Sequence, residues 1–343
     1  MKFQNQEGFP AQKRQYKGNL HSHTVYSDGH LTPAEAVSLY RANGYHFLCF
    51  SEHDLFTDLR DRFNSPDWIL LPGVEASSNL LRENGSALLK THHMHGILGT
   101  KAMQYAAPAH FTPGQALTPP CHRGSWDGLQ AAQQLCDTLR QHGCLVTYNH
   151  PVWSRVQPEE FLALDGVWAL EIYNYNTVNE CAAGADTTYW DQILRSGRQV
   201  YGFASDDNHN AGTFPDSCGG WVQVLADTLE QDAIVEALLH GDFYSSSGPE
   251  IYRWGVREDR AYIDCAPCER IHFVCGGPVG VGGAVLAPTS AGLRHAELAL
   301  TGQETYVRVE CVDANGKTAW TNALFLQPIQ EASHVTISGD SVG

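Results

Sequence analysis

Between Asn19 and His30 the chain reads NLHSHTVYSDGH, three histidines and one aspartate in twelve residues. Imidazole and carboxylate are ligands that suit zinc, manganese or iron. In extended backbone His21 and His23, two apart, project to the same side. Ser, Asp and Gly also favour surface turns, so the stretch by itself fits a polar loop as well. Residues further along decide between the two. His53 lies in SEHD, Glu75 in GVEAS, His93 and His95 in THHMHG, His150 in NHP, and Asp207 and His209 in SDDNH. A multinuclear metal centre needs several histidines and at least one carboxylate able to bridge. His21, His23, Asp28, His53, Glu75, His93 or His95, His150, Asp207 and His209 are the candidates.

The elements around these residues follow a pattern. Thr32 and Glu35 have capping-box spacing with Pro33 at the first helical position, predicting a helix to about Asn43 with Gly44 as its stop. HFLCFS reads as a buried strand running into EHD, and ILLPGVEAS as a strand ending near Glu75. WDGLQAAQQLCDTLRQHG is a helix stopping at Gly143. CLVTY is a strand entering NHP, GVWALEIYN a strand, DTTYWDQILRSG a helix, and QVYGFA a strand entering SDDNH. Thr228 and Gln231 open a last helix that Gly241 closes. Alternating helices and apolar strands argue an α/β fold with a mostly parallel sheet. EHD, NHP and SDDNH each fall just past the C-terminal end of a strand, the edge where barrels of this class build their chemistry. Scattered structural histidines would show no such bias, so one shared site is expected.

After about residue 250 helical patterns vanish. RIHFVCGG, RHAELALTG, TYVRVECVDANGK and NALFLQPI read as strands between turn residues. The expected division is a leader over 1–17, a metal-binding α/β domain over 18–248 and a small β domain over 249–343. The segment 101–124, rich in Ala, Pro and His, has no clear periodicity and is either a lid or a surface excursion.

Composition excludes several classes. The 343 residues carry a formal net charge of −16, are 43% hydrophobic and 17% charged. That is enough apolar content for a core and too few charges for a disordered chain. Polymeric nucleic acid calls for a basic face, so it is not an expected partner, and neither is a membrane. The opening stretch has no apolar core or small-residue cleavage site, and no apolar run approaches the roughly 18 residues of a spanning helix. A cytoplasmic protein is expected. The ten cysteines do not form a disulfide framework in such a setting. Only Cys265 and Cys268 have C-x-x-C spacing. With no second pair nearby in sequence, buried thiols without metal are expected.

In that order, LHSHTVYSDGHLTPAEA, FSEHD, GVEAS, NHP and SDDNH resemble the motifs of the PHP (polymerase and histidinol phosphatase) superfamily, over about residues 18–245. NHPVWS, LEIYN, SDDNHN, GGWVQV, GDFYSSSGPEI and AWTNALF are similar to its CehA/McbA-like branch, which includes carbaryl hydrolase. The resemblance implies a distorted β/α barrel of the seven-stranded type with two to three divalent ions (Zn, Mn or Fe). Carried over residue by residue, it implies that His21, His23, Glu75 and Asp207 hold the first ion. Glu75 bridges to a second, held also by His150 and one of His93 or His95. Asp28, His53 and His209 hold a third. Glu52 stands where the family usually has Asp. The D-x-H spacing favours Asp207 over Asp206, leaving Asp206 a supporting role. Glu171, Asn174 and Asn149 are expected to orient ligands. His30 and His46 are expected in local polar contacts, and for His122 and Arg123, in the 101–124 segment, contact with an anionic substrate is the less favoured reading.

The resemblance implies a metal-dependent hydrolase, foremost a phosphoesterase acting on a small phosphorylated molecule through a metal-activated hydroxide. Asp207 is the expected proton acceptor and His209 the group beside the leaving oxygen. A carbamate, ester or amide hydrolase of the carbaryl-hydrolase type is the alternative, and a non-catalytic metal-binding accessory module the third. Charge counting favours phosphate. Two ions with Glu75, Asp207 and a hydroxide leave roughly +1, and a third ion with Asp28 raises that to about +2, matching a phosphate monoester dianion.

Overall fold

The structure, a computed structural model, describes residues 3–10 and 12–328. Positions 329–343 of the expected β domain lie outside the described residues. The first helix, Pro33–Ala42, forms where its capping box predicts. Thr32 Oγ1 accepts from the Glu35 backbone N–H, and Glu35 Oε2 accepts from the Thr32 N–H at 2.8 Å. Gly128–Gln141 starts at Asp127, whose side chain caps Gln130, and ends before Gly143, where a φ of +75° suits glycine. Thr187–Arg195 and Gln231–His240 form the later helices, the second closed by left-handed Gly241.

These helices cover a large mixed sheet. Arg14–Asn19, Phe47–Phe50 and Ile69–Leu81 run parallel. Leu88–Leu98 is antiparallel to Ile69–Leu81 and to Cys144–Tyr148. Cys144–Tyr148, Ala169–Asn174 and Tyr201–Ser205 are again parallel. On the other side Trp221–Ala226 pairs antiparallel with Arg14–Asn19. The sheet curls so that its ends approach. Ser245 Oγ donates to Gly202 O and accepts from Ala204 N–H, and Ser22 bridges to Asn208. The strands are apolar inside, as sheets covered on both faces require.

Two features differ from the reading of the sequence. Ile69–Leu81 does not stop near Glu75. It continues with Leu88–Leu98 as a long hairpin through a turn at 82–87, where Gly85 takes a φ of +72° and Arg82 N–H donates to Ala87 O. Glu75 therefore sits inside a strand rather than at its end, beside His93 and His95 on the partner strand. The stretch expected as a leader also carries structure. Gln6–Glu7 pairs with Ile251–Arg257, Phe3 and Phe9 are buried against the C-terminal strands, and Arg14–Asn19 lies within the large sheet.

The C-terminal strands form two layers. Gln6–Glu7, Ile251–Arg257, Arg260–Cys268 and Leu293–Ala299 make one sheet. Arg270–Cys275, Tyr306–Val312 and Thr318–Thr321 belong to the large sheet, because Thr318–Thr321 pairs with Phe243–Ser246. An apolar core including Ile251, Trp254, Ile263, Ile271, Phe273, Val307 and Val309 fills the space between them. Arg308, almost wholly buried, ties this region to the helix Thr187–Arg195 through two hydrogen bonds to Asp191, of 2.9 and 2.7 Å. The segment 101–124 is a surface excursion. It contains the short helix Lys101–Ala106 and the short strand Cys121–Arg123, which pairs with Asn79–Leu81.

Candidate metal centre

His21 and His23 follow directly on Arg14–Asn19, His53 on Phe47–Phe50, His150 on Cys144–Tyr148, and Asp207 and His209 on Tyr201–Ser205. The curl of the sheet brings these strand ends together, and Glu75, His93 and His95 reach the same place from within the hairpin. His150 and Asp207 hold left-handed backbone at φ +24° and +55°, a conformation costly for non-glycine residues and concentrated at functional sites.

The tightest group is His21, His23, Glu75 and Asp207, all buried. His21 Nε2 lies 3.1 Å from His23 Nε2, 3.0 Å from Asp207 Oδ1 and 3.3 Å from Glu75 Oε2. His23 Nε2 lies 3.1 Å from Asp207 Oδ1 and 3.3 Å from Glu75 Oε2. Donors about 2.0–2.2 Å from one tetrahedral ion stand about 3.3–3.6 Å apart. Five of the six edges of this group are at or just below that span. The donor set thus fits a divalent cation.

Glu75 is shared. Its Oε1 lies 3.3 Å from His150 Nε2 and 3.3 Å from His93 Nδ1, while its Oε2 is 3.1 Å from His53 Nδ1. Glu75 Oε2 and His93 Nδ1 are buried without a hydrogen-bond partner, as expected of atoms aimed at an ion. His95 is set deeper. Its Nε2 is 3.9 Å from Glu75 Oε1, its ring stands edge-on to His21, and neither ring nitrogen has a partner. A third group consists of His23, Asp28, His53 and His209. Asp28 lies 3.4 Å from His53 Nε2 and 3.3 Å from His209 Nε2. His53 stands between the second and third groups, one ring nitrogen toward each.

Supporting side chains fix which nitrogen faces inward. Glu171 Oε1 takes the Nδ1 side of His21 at 2.8 Å, leaving Nε2 for the centre. Glu171 also accepts from Asn174, Ser205 and the His150 backbone N–H. His209 Nδ1 meets the Asp207 carbonyl at 2.9 Å and His150 Nδ1 meets Ser154 at 3.1 Å. Asn149 donates to Glu75 Oε1 and Asn174 to Asp207 Oδ2. Buried Glu52 accepts from Thr24 and Ser27, which holds the segment carrying Asp28. Asp206 faces away from the centre. It accepts from the backbone of Cys218, Gly219 and Gly220 and from Tyr40.

Electrostatics follow this packing. Burial opposes the charge of Glu75, yet His21 and His93 outweigh it and hold the carboxyl well below the usual range. For Asp207 burial again opposes, and His21 and His23 again prevail. Burial and the neighbouring His21 push His95 well below the usual imidazole range.

The three groups open on a cleft of about 300 Å³ lined by Asp28, His53, His93, His150, Trp153, Asn176, Glu180, Asp207, His209, Ala211, Thr213, Phe214 and Asp216. No Lys or Arg is among these described residues. His122 and Arg123 lie on the short strand beside Asn79–Leu81 and are not among the residues lining the cleft. His92 turns to the far side of its strand, where it meets the Tyr148 hydroxyl. His46 accepts from the Lys17 backbone N–H, and exposed His30 bonds through its backbone to His209. Trp153, Phe214 and Asp216 were not singled out from the sequence. Trp153 stands three residues after His150, inside NHPVWS, but aromatic residues in an α/β chain signal core more often than a cleft wall. Asp216, which accepts the His209 and Asn210 backbone N–H groups, sits in a loop with no periodicity to mark it.

No family model and no curated protein matches the chain. Among solved structures, the chain is similar to a two-domain protein from Bacteroides vulgatus described as containing a predicted PHP-like metal-dependent phosphoesterase. The identity is 12%, the TM-score 0.43, and the match covers 94% of this chain and 98% of that one. It is also similar to a protein from Bifidobacterium adolescentis described as a candidate metal-dependent phosphoesterase, at 16% identity and a TM-score of 0.38, covering 67% of this chain and 97% of that one.

Proposed function

We propose that the chain is a metal-dependent hydrolase of the PHP superfamily, built on a distorted β/α barrel, that cleaves phosphate esters of a small molecule. The observation that carries this reading is the set of four buried donor atoms around one point, His21 Nε2, His23 Nε2, Glu75 Oε2 and Asp207 Oδ1. His21, His23, Glu75 and Asp207 would hold one divalent ion, and Glu75, His93 and His150 a second. Asp28, His53 and His209 would hold a third. His93 is favoured over His95 because it stands closer to Glu75 and lines the cleft. Bound divalent ions supply Lewis acidity, lowering the pKa of water and drawing charge from the electrophile.

The chain's own groups divide the remaining work. Asp207 is held at both oxygens, Oδ1 by the two histidines and Oδ2 by Asn174, which supports a ligand role beside the proposed one as proton acceptor. His209 lines the cleft where a leaving oxygen would depart. Its Nδ1 is tied to a carbonyl, so Nε2, which faces Asp28, is the atom that would hold a proton there, or the third ion where that ion is bound. Trp153 and Phe214 offer apolar walls for the organic part of a substrate.

A second reading, a carbamate or ester hydrolase, draws on one observation. The lining holds Trp153 and Phe214 with Asp28, Glu180 and Asp216, and no Lys or Arg. Bound ions must therefore supply all positive charge for an anion, whereas a neutral aryl substrate needs none. The deciding experiment is metal analysis of protein purified without chelator, followed by a panel of phosphate monoesters and aryl carbamates. Two or more ions per chain with phosphate release support the phosphoesterase. Carbamate cleavage without any phosphatase activity replaces it with the second reading, and bound metal with no activity on either substrate type with the metal-binding accessory module.

A further inference from the structure

Three cysteines far from the cleft meet in the C-terminal core. The Sγ atoms of Cys265, Cys268 and Cys311 all lie within 4.8 Å of one another, and the three side chains are buried. Cys265 Sγ is 4.0 Å from Cys268 Sγ. Cys265 and Cys268 belong to the strand Arg260–Cys268 in one layer, and Cys311 to Tyr306–Val312 in the other. The cluster therefore spans the two sheets.

The local backbone is shaped to make this meeting possible. In a regular strand, residues three apart point to opposite faces. Here the register breaks between Asp264 and Cys268, at a stretch containing Pro267, and both cysteines face inward. An irregularity of this kind re-aims a side chain and is a built feature rather than a defect. The third sulfur comes from a strand more than forty residues on, where spacing within the C-x-x-C gives no sign of it.

We infer that Cys265, Cys268 and Cys311 form a three-sulfur site for a thiophilic metal ion, copper(I), that fastens the two sheets to each other. Thiolate sulfur selects copper(I), zinc and iron–sulfur clusters. A closed structural zinc site takes four protein ligands, and among the described residues no fourth His, Cys, Asp or Glu atom joins these three. A disulfide between Cys265 and Cys268 would use two of the sulfurs and leave the third without a role. Each sulfur releases its proton to solvent as it bonds the ion, and no oxidant takes part. The site shares no residue with the His and carboxylate centre and does not depend on how that centre is read.

The test uses the full chain, reduced under anaerobic conditions, with copper(I) presented against a coloured copper(I) chelator. One equivalent should stay with the wild type, X-ray absorption should count three sulfurs around it, and the thermal midpoint should rise on loading. Cys311→Ser should abolish retention and the rise, and Cys121→Ser, at an exposed thiol outside the cluster, should change neither. The inference falls if the wild type retains no copper or if Cys311→Ser retains as much. It also falls if peptide mapping of freshly isolated protein finds Cys265 and Cys268 joined by a disulfide. The sulfur count on the wild type decides the matter even if the Cys311 variant does not fold.

Discussion

The strand-end centre, buried at His21 and Glu75 but exposed at Asp28, and the wholly buried thiol cluster gather side chains for different chemistry. At the strand ends, nitrogen and oxygen donors are backed by further polar groups. Glu171 steadies His21, Asn149 steadies Glu75, and Asn174 reaches both Glu171 and Asp207. One side opens to a cleft. Between the C-terminal sheets, three sulfurs sit in an apolar core of Ile, Val and Phe. An open centre with oriented donors leaves room for water and substrate, as catalysis requires. A closed cluster of soft donors can only hold something in place.

The first way to break this contrast is to remove the shared carboxylate. Glu75→Gln should cost more than the about 100-fold that losing an outer partner costs, and should lower metal content at more than one group. Elemental analysis with turnover on a phosphate ester checks it, and full metal content in the variant would remove Glu75 from the centre. Arg308→Met probes the other region. It leaves Asp191 without its buried bidentate partner and should lower stability by about 3 kcal/mol, with little change in metal content. Chemical denaturation measures it.

Glu171→Gln sharpens the comparison by testing whether the outer layer matters. It keeps the shape but weakens the hold on His21 Nδ1, so metal affinity should fall by about 10–100-fold. An unchanged affinity would make the open centre as independent of its surroundings as the thiol cluster. Asp28→Ala should remove about one ion and lower phosphate ester cleavage about tenfold, with a smaller loss on aryl carbamates. Equal loss on both substrates would sink the charge argument for phosphate.

The smallest expected effect is on pH dependence. Burial disfavours the charged form of His209, but Asp28 and Asp207 outweigh it and raise the imidazole from 6.5 to about 9. A raised pKa gives stability that is complete below the unfolded value and is lost as pH rises through the folded one. His21, His53 and His150 shift in the same direction. Metal-free protein should therefore lose thermal stability between pH 6.5 and about 9, while ion-loaded protein should not, because ions compete with protons and bind more tightly as pH rises. Thermal scans with and without chelator decide it, and a flat metal-free profile would refute the assigned proton partners.

The two regions also differed in how far they could be read from the chain. The strand-end residues come in short motifs after predicted strands, so local pattern was enough to group them. Glu75 is legible as a ligand but not its place in the strand, which runs on past it to Leu81 because its partner Leu88–Leu98 pairs with it over that length. Glu52 was noticed only as a departure from a motif, and its hold on Thr24 and Ser27 depends on two loops meeting. Trp153 and Phe214 carry no mark that distinguishes a cleft wall from core.

Residue type and spacing alone determined the α/β character, the capped helices, the strand ends and the candidate ligands, since these depend on contacts among residues near in sequence. Only the tertiary structure decided how Glu75 is shared, that His93 stands nearer the cleft than His95, and that Arg123 stays away from it. The same holds for Phe3 and Phe9, which pack against strands more than two hundred residues later, and for Cys311, which completes the thiol cluster. The physical reason is common to all of these. A strand's pattern fixes which way a side chain points, but what it meets depends on sheet curl and register, which are set by the packing of the whole core.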